Sequence, residues 1–420
     1  MEDIILEKQS LRCVVMNRWC DEFSAYERYI DHTLHRVAYI VTPEGATVLD
    51  NKPSLHVVIV PDFKDLAVLS AAVAECHQVL GGIDRLISLS EFDLTVTGEL
   101  RAIHDIPGDR PHEVARFRDK TVMKNRVLAA QLRAPRFIAM DARSTTMEAL
   151  HTLRYPLIVK PRSGAASAGV HRIATREELE HLLPNLPLSE YECEEFISGP
   201  IYHVDGLVSG GESRFQKASR YLGTCLDFAH GKPLGSIVLA ESEFQAELLK
   251  FTDACLRALD LRQGAFHMEI ISADDGFYFL EVGARVGGGE IPFTMRDVFG
   301  IDMYANWVRQ QLDPEFQAQP KEEDGMLAGF LIIPEPVGKR LLEATIPDGI
   351  ETLYASLVPP VGHVFDGDGG YDTILGRFRY CGKSEAQIEA DIHETIRRFS
   401  YRLEDAFTTA EATCTATIGQ

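Results

Sequence analysis

The order of apolar runs predicts a multidomain chain, α/β at its start and α+β beyond. Three observations carry this. Residues 1–110 alternate short apolar runs with helical patterns, the signature of an open parallel βαβ sheet. From Tyr155 the texture changes to strands and turns, and residues 325–412 form a strand-rich tail. The length of 420 residues agrees with two to four domains.

The elements follow in order. Arg12–Met16, Val37–Val41, Leu55–Val60 and Arg85–Ser88 have the composition of buried strands. Leu66–Leu80 places Leu66, Leu69, Val73 and His77 near one face and stops at Gly81-Gly82, so it predicts a helix. Glu91–His104 is a second helix. Residues 112–150 read as mostly helical, with Lys120 and Lys124 at i,i+4. Pro156–Lys160, Val170–Ala174, Tyr191–Ile197 and Ile201–Ser209 read as strands, and Arg176–Leu183 as a short helix. Glu241–Leu259 and Met303–Gln311 are helical, and Ala386–Ala406 predicts a closing helix.

Composition excludes several functions. The net charge of −21 argues against a nucleic-acid backbone or an anionic membrane as partner. The eight cysteines are scattered without a C-x-x-C pair, which is neither a disulfide nor a zinc framework. The start MEDIILEKQS lacks a signal-peptide core, and no run approaches the ~18 apolar residues of a membrane helix, so a soluble cytoplasmic protein is expected.

The most informative stretch is Ala265–Gly289. Ala265–Ala273 and Phe277–Val282 flank Asp274-Asp275-Gly276, a hairpin turn. If Ala273 pairs with Phe277, Glu269 faces Glu281. Like charges opposed across a ladder are destabilising, so two carboxylates there call for a cation, and hard ions such as Mg2+ take oxygen ligands while keeping positions for phosphate. The same residues also read as two unrelated surface glutamates, and a one-residue slip would put them on opposite faces.

Two further segments carry chemistry. In YPLIVKPRSGAASAGVHRI, a strand ends at Lys160-Pro161 and passes through Gly164, Ala165, Ala166, Ser167, Ala168 and Gly169. Small residues let backbone N–H groups approach an anion, although an ordinary flexible loop has the same look. It is not a Walker A loop, and Gly382–Ser384 lacks that motif's first glycine, with Arg377 in its place. In YECEEFISGPIYHVDG, an acidic strand bends at Ser198-Gly199-Pro200 and returns through His203 and Asp205. Such a bend suits a purine edge and ribose hydroxyls, or is simply a solvated edge strand. Arg285, four residues past Glu281, suits a phosphate or a carboxylate. His203 and His267 lack zinc spacing, and Asp366–Gly370 reads as a turn.

Taken in order, RDKTVMK, VKPRSGAASAGV, EEFISG with HVDG, and HMEI with FLEVGAR resemble the ATP-grasp superfamily. The branch most resembled is that of carboxylate–amine ligases similar to bacterial L-amino acid ligases. The resemblance is strong over about residues 80–310 and implies a central two-part antiparallel nucleotide fold. It divides the chain into an N-terminal α/β domain (1–110), a small subdomain (111–210), a large subdomain with the metal hairpin (211–320) and a C-terminal α+β domain (321–420). It implies ATP and Mg2+, with Mn2+ as the alternative ion. Lys120 and Lys160 resemble the phosphate-contacting lysines, and Gly164 to Gly169, with Ser167, the lid. Glu194, Glu195, Phe196 and Ile197 resemble the hinge for adenine and ribose, with His203 and Asp205 on the return strand. Glu269 and Glu281 resemble the metal ligands, and Arg285 the arginine that stabilises the reacting acyl group.

Where many relatives carry a metal-binding Asn, this chain has Gly283. The implied activity activates a carboxylate as an acyl phosphate and couples it to an amine, releasing ADP and phosphate. The implied partners are small-molecule carboxylate and amine substrates, with a homodimer left open. Carboxyphosphate chemistry of the biotin carboxylase type and a non-catalytic nucleotide-binding role are the alternatives. Gly223–Ser236, with His230 and Lys232, is a candidate acceptor-pocket segment.

Overall fold

Four short apolar runs near the N-terminus pair side by side in one direction. In the computed structural model they are β1 (Arg12–Asn17), β2 (Arg36–Val41), β3 (His56–Ile59) and β4 (Arg85–Ser88), parallel throughout in the order β3-β2-β1-β4. The structure describes residues 10–49, 56–141, 150, 152–164, 167–313, 315–321, 324–367 and 373–406. Helix α1 (Leu66–Leu80) spans the predicted residues. Asp65 caps it by accepting from the N–H groups of Ala67 and Val68, and Gly81 ends it at φ 74°. Its buried face, with Leu69 and Val73, packs on Val14, Met16, Ala38 and Ile40 of the sheet. Helix α2 (Leu94–Ile103) follows a short 3-10 turn at Glu91–Asp93.

The segment expected to be mostly helical is shorter in helix than predicted. Helices α3 (Pro111–Val114) and α4 (Lys120–Ala129) are present, but Phe137–Ala139 is a strand, β5. The helix has already ended at Ala129, where Gln131 turns into the left-handed region at φ 61° and the Leu132 N–H closes on the Val127 carbonyl, and Pro135 then favours extended backbone before it. Residues 142–149 lie outside the described residues. β5 joins β6 (Leu157–Pro161), β7 (His171–Ile173) and β8 (Tyr191–Glu195) in a four-stranded antiparallel sheet ordered β5-β8-β6-β7, backed by α5 (Arg176–Leu182).

A larger sheet of eight strands contains β9 (Ile201–Ser209), β10 (Glu212–Leu222), β11 (Leu234–Val238), β12 (Gly264–Ala273), β13 (Gly276–Gly283) and β14 (Leu327–Pro334). Of the later strands β15 (Lys339–Thr345), β16 (Leu353–Leu357), β17 (Val364–Phe365), β18 (Ile374–Gly382) and β19 (Ser400–Asp405), β16 and β18 extend it. Its order is β13-β12-β9-β10-β11-β14-β18-β16, so strands on both sides of 210 and of 320 share one sheet. The expected borders at those two points therefore do not coincide with sheet borders. β15, β17 and β19 make a small separate sheet. Helices α6 (Cys225–Ala229), α7 (Glu243–Leu259), α8 (Ile291–Phe299), α9 (Met303–Leu312) and α10 (Glu385–Arg398) complete the described elements used below.

The closing helix is also shorter than predicted. It stops at Arg398 because Phe399 leaves the helical region (ψ 116°) to bury its ring against Phe378, 5.2 Å away. Ser400–Asp405 then alternates as a strand and pairs with β15. The expected turn at Asp366–Gly370 lies partly, and Cys414 wholly, outside the described residues. Among the described residues no helix is long and apolar enough to cross a membrane, and the cysteines are free thiols.

The large sheet has no room to spare at Gly206 on β9. A Cβ there would lie 2.4 Å from the Phe215 carbonyl oxygen and 2.6 Å from the Phe266 ring. Gly206→Ala should lose about 1–3 kcal/mol of stability through this overpacking, measured by urea denaturation. A midpoint equal to that of the unaltered chain would contradict the packing described.

Candidate active site

Glu269 and Glu281 do face each other, but by another route than the predicted register. Ala273 pairs with Gly276 rather than Phe277, leaving a two-residue turn at Asp274–Asp275. That register alone would set Glu269 opposite Leu280. A β-bulge between Glu269 and Ile270 shifts the ladder by one residue and restores the Glu269–Glu281 pair.

Each carboxylate has distinct company. Lys120 begins α4, whose N-terminus is capped by Asp119, itself held by Arg162. The Lys120 ammonium reaches Glu281 Oε2 at 2.9 Å and donates to the Gly164 carbonyl oxygen at 3.1 Å. Burial pushes the Glu281 carboxyl up, but Lys120 and Lys160 outweigh it and hold it down at about 2. Glu269 accepts from Tyr221 Oη at 3.3 Å and lies 3.7 Å from His267 Nε2 and from Cys225 Sγ.

The two sheets enclose a cavity of about 370 Å³. Lys120, Lys160, Gly164, Ser167, Glu194, Glu195, Phe196, Ile197, Glu269 and Glu281 of the predicted set line it. Ile158, Val170, Ile201, Ile271 and Leu280 add an apolar slot. Thr224–Asp227, from the candidate acceptor segment, also reach the wall. His230 instead contacts the Leu226 carbonyl, and Lys232 pairs with Asp227 at 2.7 Å.

Other predicted residues lie elsewhere. Gly169 is not on the cavity wall. It turns the lid loop at φ 69°, where a Cβ would meet Tyr191 Oη at 2.9 Å; Ala165 and Ala166 lie outside the described residues. Glu194 reaches the cavity, but its carboxylate is committed to lysines. Oε1 takes Lys160 at 2.6 Å, and Oε2 takes Lys124. Glu195 is tied to the Arg154 N–H at 3.0 Å and to Arg136.

His203 and Asp205 sit behind the cavity, fully buried. His203 Nδ1 meets Asp205 Oδ2 at 2.6 Å and its Nε2 meets Ser236 Oγ at 2.7 Å, while His267 Nδ1 meets Asp205 Oδ1 at 2.9 Å. This trio has ligand-like spacing, yet its close contacts are hydrogen bonds that already satisfy both carboxylate oxygens. Sequence reasoning put both residues at the nucleotide because the turn ahead of them is at the cavity; the strand's return carries them inward.

Arg285 is likewise not on the cavity wall. Its Nε donates to Glu91 Oε2 at 2.5 Å and Nη1 to the Val286 carbonyl. Glu91 also receives Arg118, so the N-terminal domain fixes this guanidinium. No sequence signal marked Glu91. Gly283, the departure from the family pattern, has a structural correlate: a Cβ there would lie 3.1 Å from Arg285 Cγ. Lys124 and Glu192 were also missed as partners. The i,i+4 lysines and the i,i+2 acids of YECEE were the available signals.

Two carboxylates opposed across a ladder, one paired with a lysine and the other hydrogen-bonded by Tyr221 and near His267, form a hard oxygen donor set of the kind that suits Mg2+.

Fold and site together define a protein in which two antiparallel sheets face one another across a cavity lined by lysines and carboxylates. Residues 153–292 match the family model described as the ATP-grasp domain. It is similar to the L-arginine-specific L-amino acid ligase of Bacillus subtilis, 25% identical over 350 residues covering 80% of this chain and 83% of that protein. The dapdiamide A synthase of Enterobacter agglomerans is 26% identical over 172 residues, 38% of this chain and 40% of that one. The crystal structure of an L-amino acid ligase from Bacillus licheniformis superposes with a TM-score of 0.71 at 21% identity, covering 94% of this chain and all of that one.

The buried trio predicts a pH dependence. Burial disfavours the His267 cation, but Asp205 opposes this and raises it from 6.5 to about 9. A raised folded-state value means the contribution to stability is complete below pH 6.5 and is lost as pH rises through about 9. Urea midpoints should therefore fall from pH 6.5 to 9. Asp205→Asn should flatten that fall, and an unchanged slope in the variant would contradict the assignment.

Proposed function

We propose that the chain is an ATP-dependent acid–amine ligase that activates a carboxylate, an amino acid in the reading we favour, and joins it to an amine. The observation that carries this is the convergence of Lys120, Lys160, Glu269 and Glu281 on one cavity with an apolar slot. The amino acid ligases to which the chain is similar support the choice of substrate class.

In this reading the adenine lies in the slot formed by Ile158, Val170, Phe196, Ile197 and Leu280, near the 194–197 main chain. Lys120 and Lys160 face the phosphates. Glu269 and Glu281 would hold Mg2+, which when bound would neutralise phosphate charge at the γ-phosphoryl group. A substrate carboxylate oxygen then bonds to the γ-phosphorus as the bond to the bridging oxygen breaks and ADP leaves. The amine attacks the acyl carbon, phosphate departs, and the amine nitrogen loses its proton. Arg285, pre-set by Glu91, lies beyond Glu281 on the side open to the N-terminal domain, where its charge would stabilise the oxyanion. The loop 164–169 would exclude water that otherwise hydrolyses the acyl phosphate. Cytoplasmic residence and homodimerisation are compatible with this function but add nothing to it.

Purified protein with ATP, Mg2+ and pairs of amino acids should release ADP and phosphate with a mass-detectable amide. AMP release, or phosphate without amide, would contradict the reading. Glu281→Gln and Glu269→Gln should each lower kcat by about 10²–10³-fold, as for loss of a group acting on transition-state charge. A change confined to KM would place these side chains outside the chemistry.

A further inference from the structure

Behind the cavity lies a second charged cluster that the mechanism does not use. Lys124, one turn beyond Lys120 on α4, is completely buried. Its ammonium meets Glu192 Oε1 at 2.6 Å and Glu194 Oε2, and lies 5.0 Å from the Phe137 ring centre. Neither Lys124 nor Glu192 lines the cavity, whereas Lys160 and Glu194 do. The four side chains form a neutral quartet of two ammonium groups and two carboxylates.

We propose that Lys124 is a positioning residue for nucleotide binding, keeping Lys160 aimed at the phosphates by occupying the two carboxylates that would otherwise draw it inward. This rests on the reading of Lys160 as a phosphate contact. The division of contacts supports it. Glu194 gives one oxygen to each lysine, and Lys124 takes the near oxygen of Glu192. Lys160 thus has one close carboxylate contact, at 2.6 Å, and stays 3.8 Å from Glu192 Oε1. An ammonium has three N–H donors, so two remain for a phosphate. Glu192 Oε2 is buried without a hydrogen-bond partner. Without Lys124, Glu192 would be a wholly buried unpaired carboxylate, and the nearest remaining cation is Lys160. Burying an unpaired charge is strongly unfavourable, so Lys160 would swing inward and leave the cavity.

A plain structural role for Lys124, as a pin between α4 and β8, predicts something different. It would weaken every ligand together and would not depend on the charge of Glu192. The test is ligand affinity by calorimetry for ATP, ADP and adenosine, with thermal stability as a control. Lys124→Met should weaken ATP and ADP by tenfold or more and adenosine by less than threefold. Adding Glu192→Gln restores charge balance, and the double variant should recover ATP affinity to within threefold. Equal loss of ATP and adenosine affinity, or no recovery in the double variant, would overturn the proposal. If Lys124→Met does not fold, Glu192→Gln alone decides. It keeps Lys124 and removes the competing carboxylate, so it should bind ATP at least as tightly as the unaltered chain, and a tenfold loss would overturn the assignment. Failure of the unaltered chain to bind ATP would instead overturn the nucleotide reading, and this proposal with it.

Discussion

Two glutamates forced together across a β-ladder are the constraint on which the site depends. Opposed like charges repel, and here a bulge creates the opposition where regular pairing would avoid it. The structure answers one of the two charges with Lys120, which reaches across from α4. The same lysine holds the Gly164 carbonyl at the start of the lid loop. One ammonium thus ties together α4, the β12–β13 hairpin and the loop that begins at Gly164.

The surrounding cations are arranged so that each is held by an acid without being consumed by it. Lys160 keeps donors free because Glu194 is shared, and Arg285 keeps its place because Glu91 holds Nε. This resolves a tension in the composition. A chain with a net charge of −21 still lines this cavity with Lys120 and Lys160, because local carboxylates set where those cations point. The N-terminal sheet has a part in this through Glu91, which follows β4 at its C-terminal end, the edge where ligands gather in open parallel sheets.

Much of this was legible in the sequence, though not always for the right reason. Helix α1 and strand β9 matched their predicted limits because both carry strong local signals, periodicity with caps in one and flanking turns at Ser198-Gly199-Pro200 and Gly210-Gly211 in the other. The Glu269–Glu281 pairing was expected from a turn register that is wrong by one residue, and the bulge that corrects it leaves no mark in FYFLEVG. The motif order found the cavity walls well, since they come from contiguous segments. It did not reveal that His203, Asp205 and Arg285 lie off the cavity wall, since their directions are set by contacts with Ser236, His267 and Glu91, remote in the chain. β19 was read as helix because burial of Phe399, a tertiary event, ends α10.

The position of the β12–β13 hairpin at the sheet edge follows from the same physics. β13 is the outermost strand and would expose unpaired backbone groups. The connector after α4 covers that edge: the Phe279 N–H donates to the Arg133 carbonyl at 2.9 Å, and the Arg133 guanidinium pairs with the turn at Asp275. Beyond Pro135, β5 enters the small sheet. The small sheet is therefore hung from the strand that carries Glu281. The chain passes between the two sheets here and again between β8 and β9, where the Ser272 N–H donates to the Pro200 carbonyl at 3.0 Å. An edge strand, elsewhere a liability, is here the one place where a strand can be fixed to its own sheet and still serve as the mount for another.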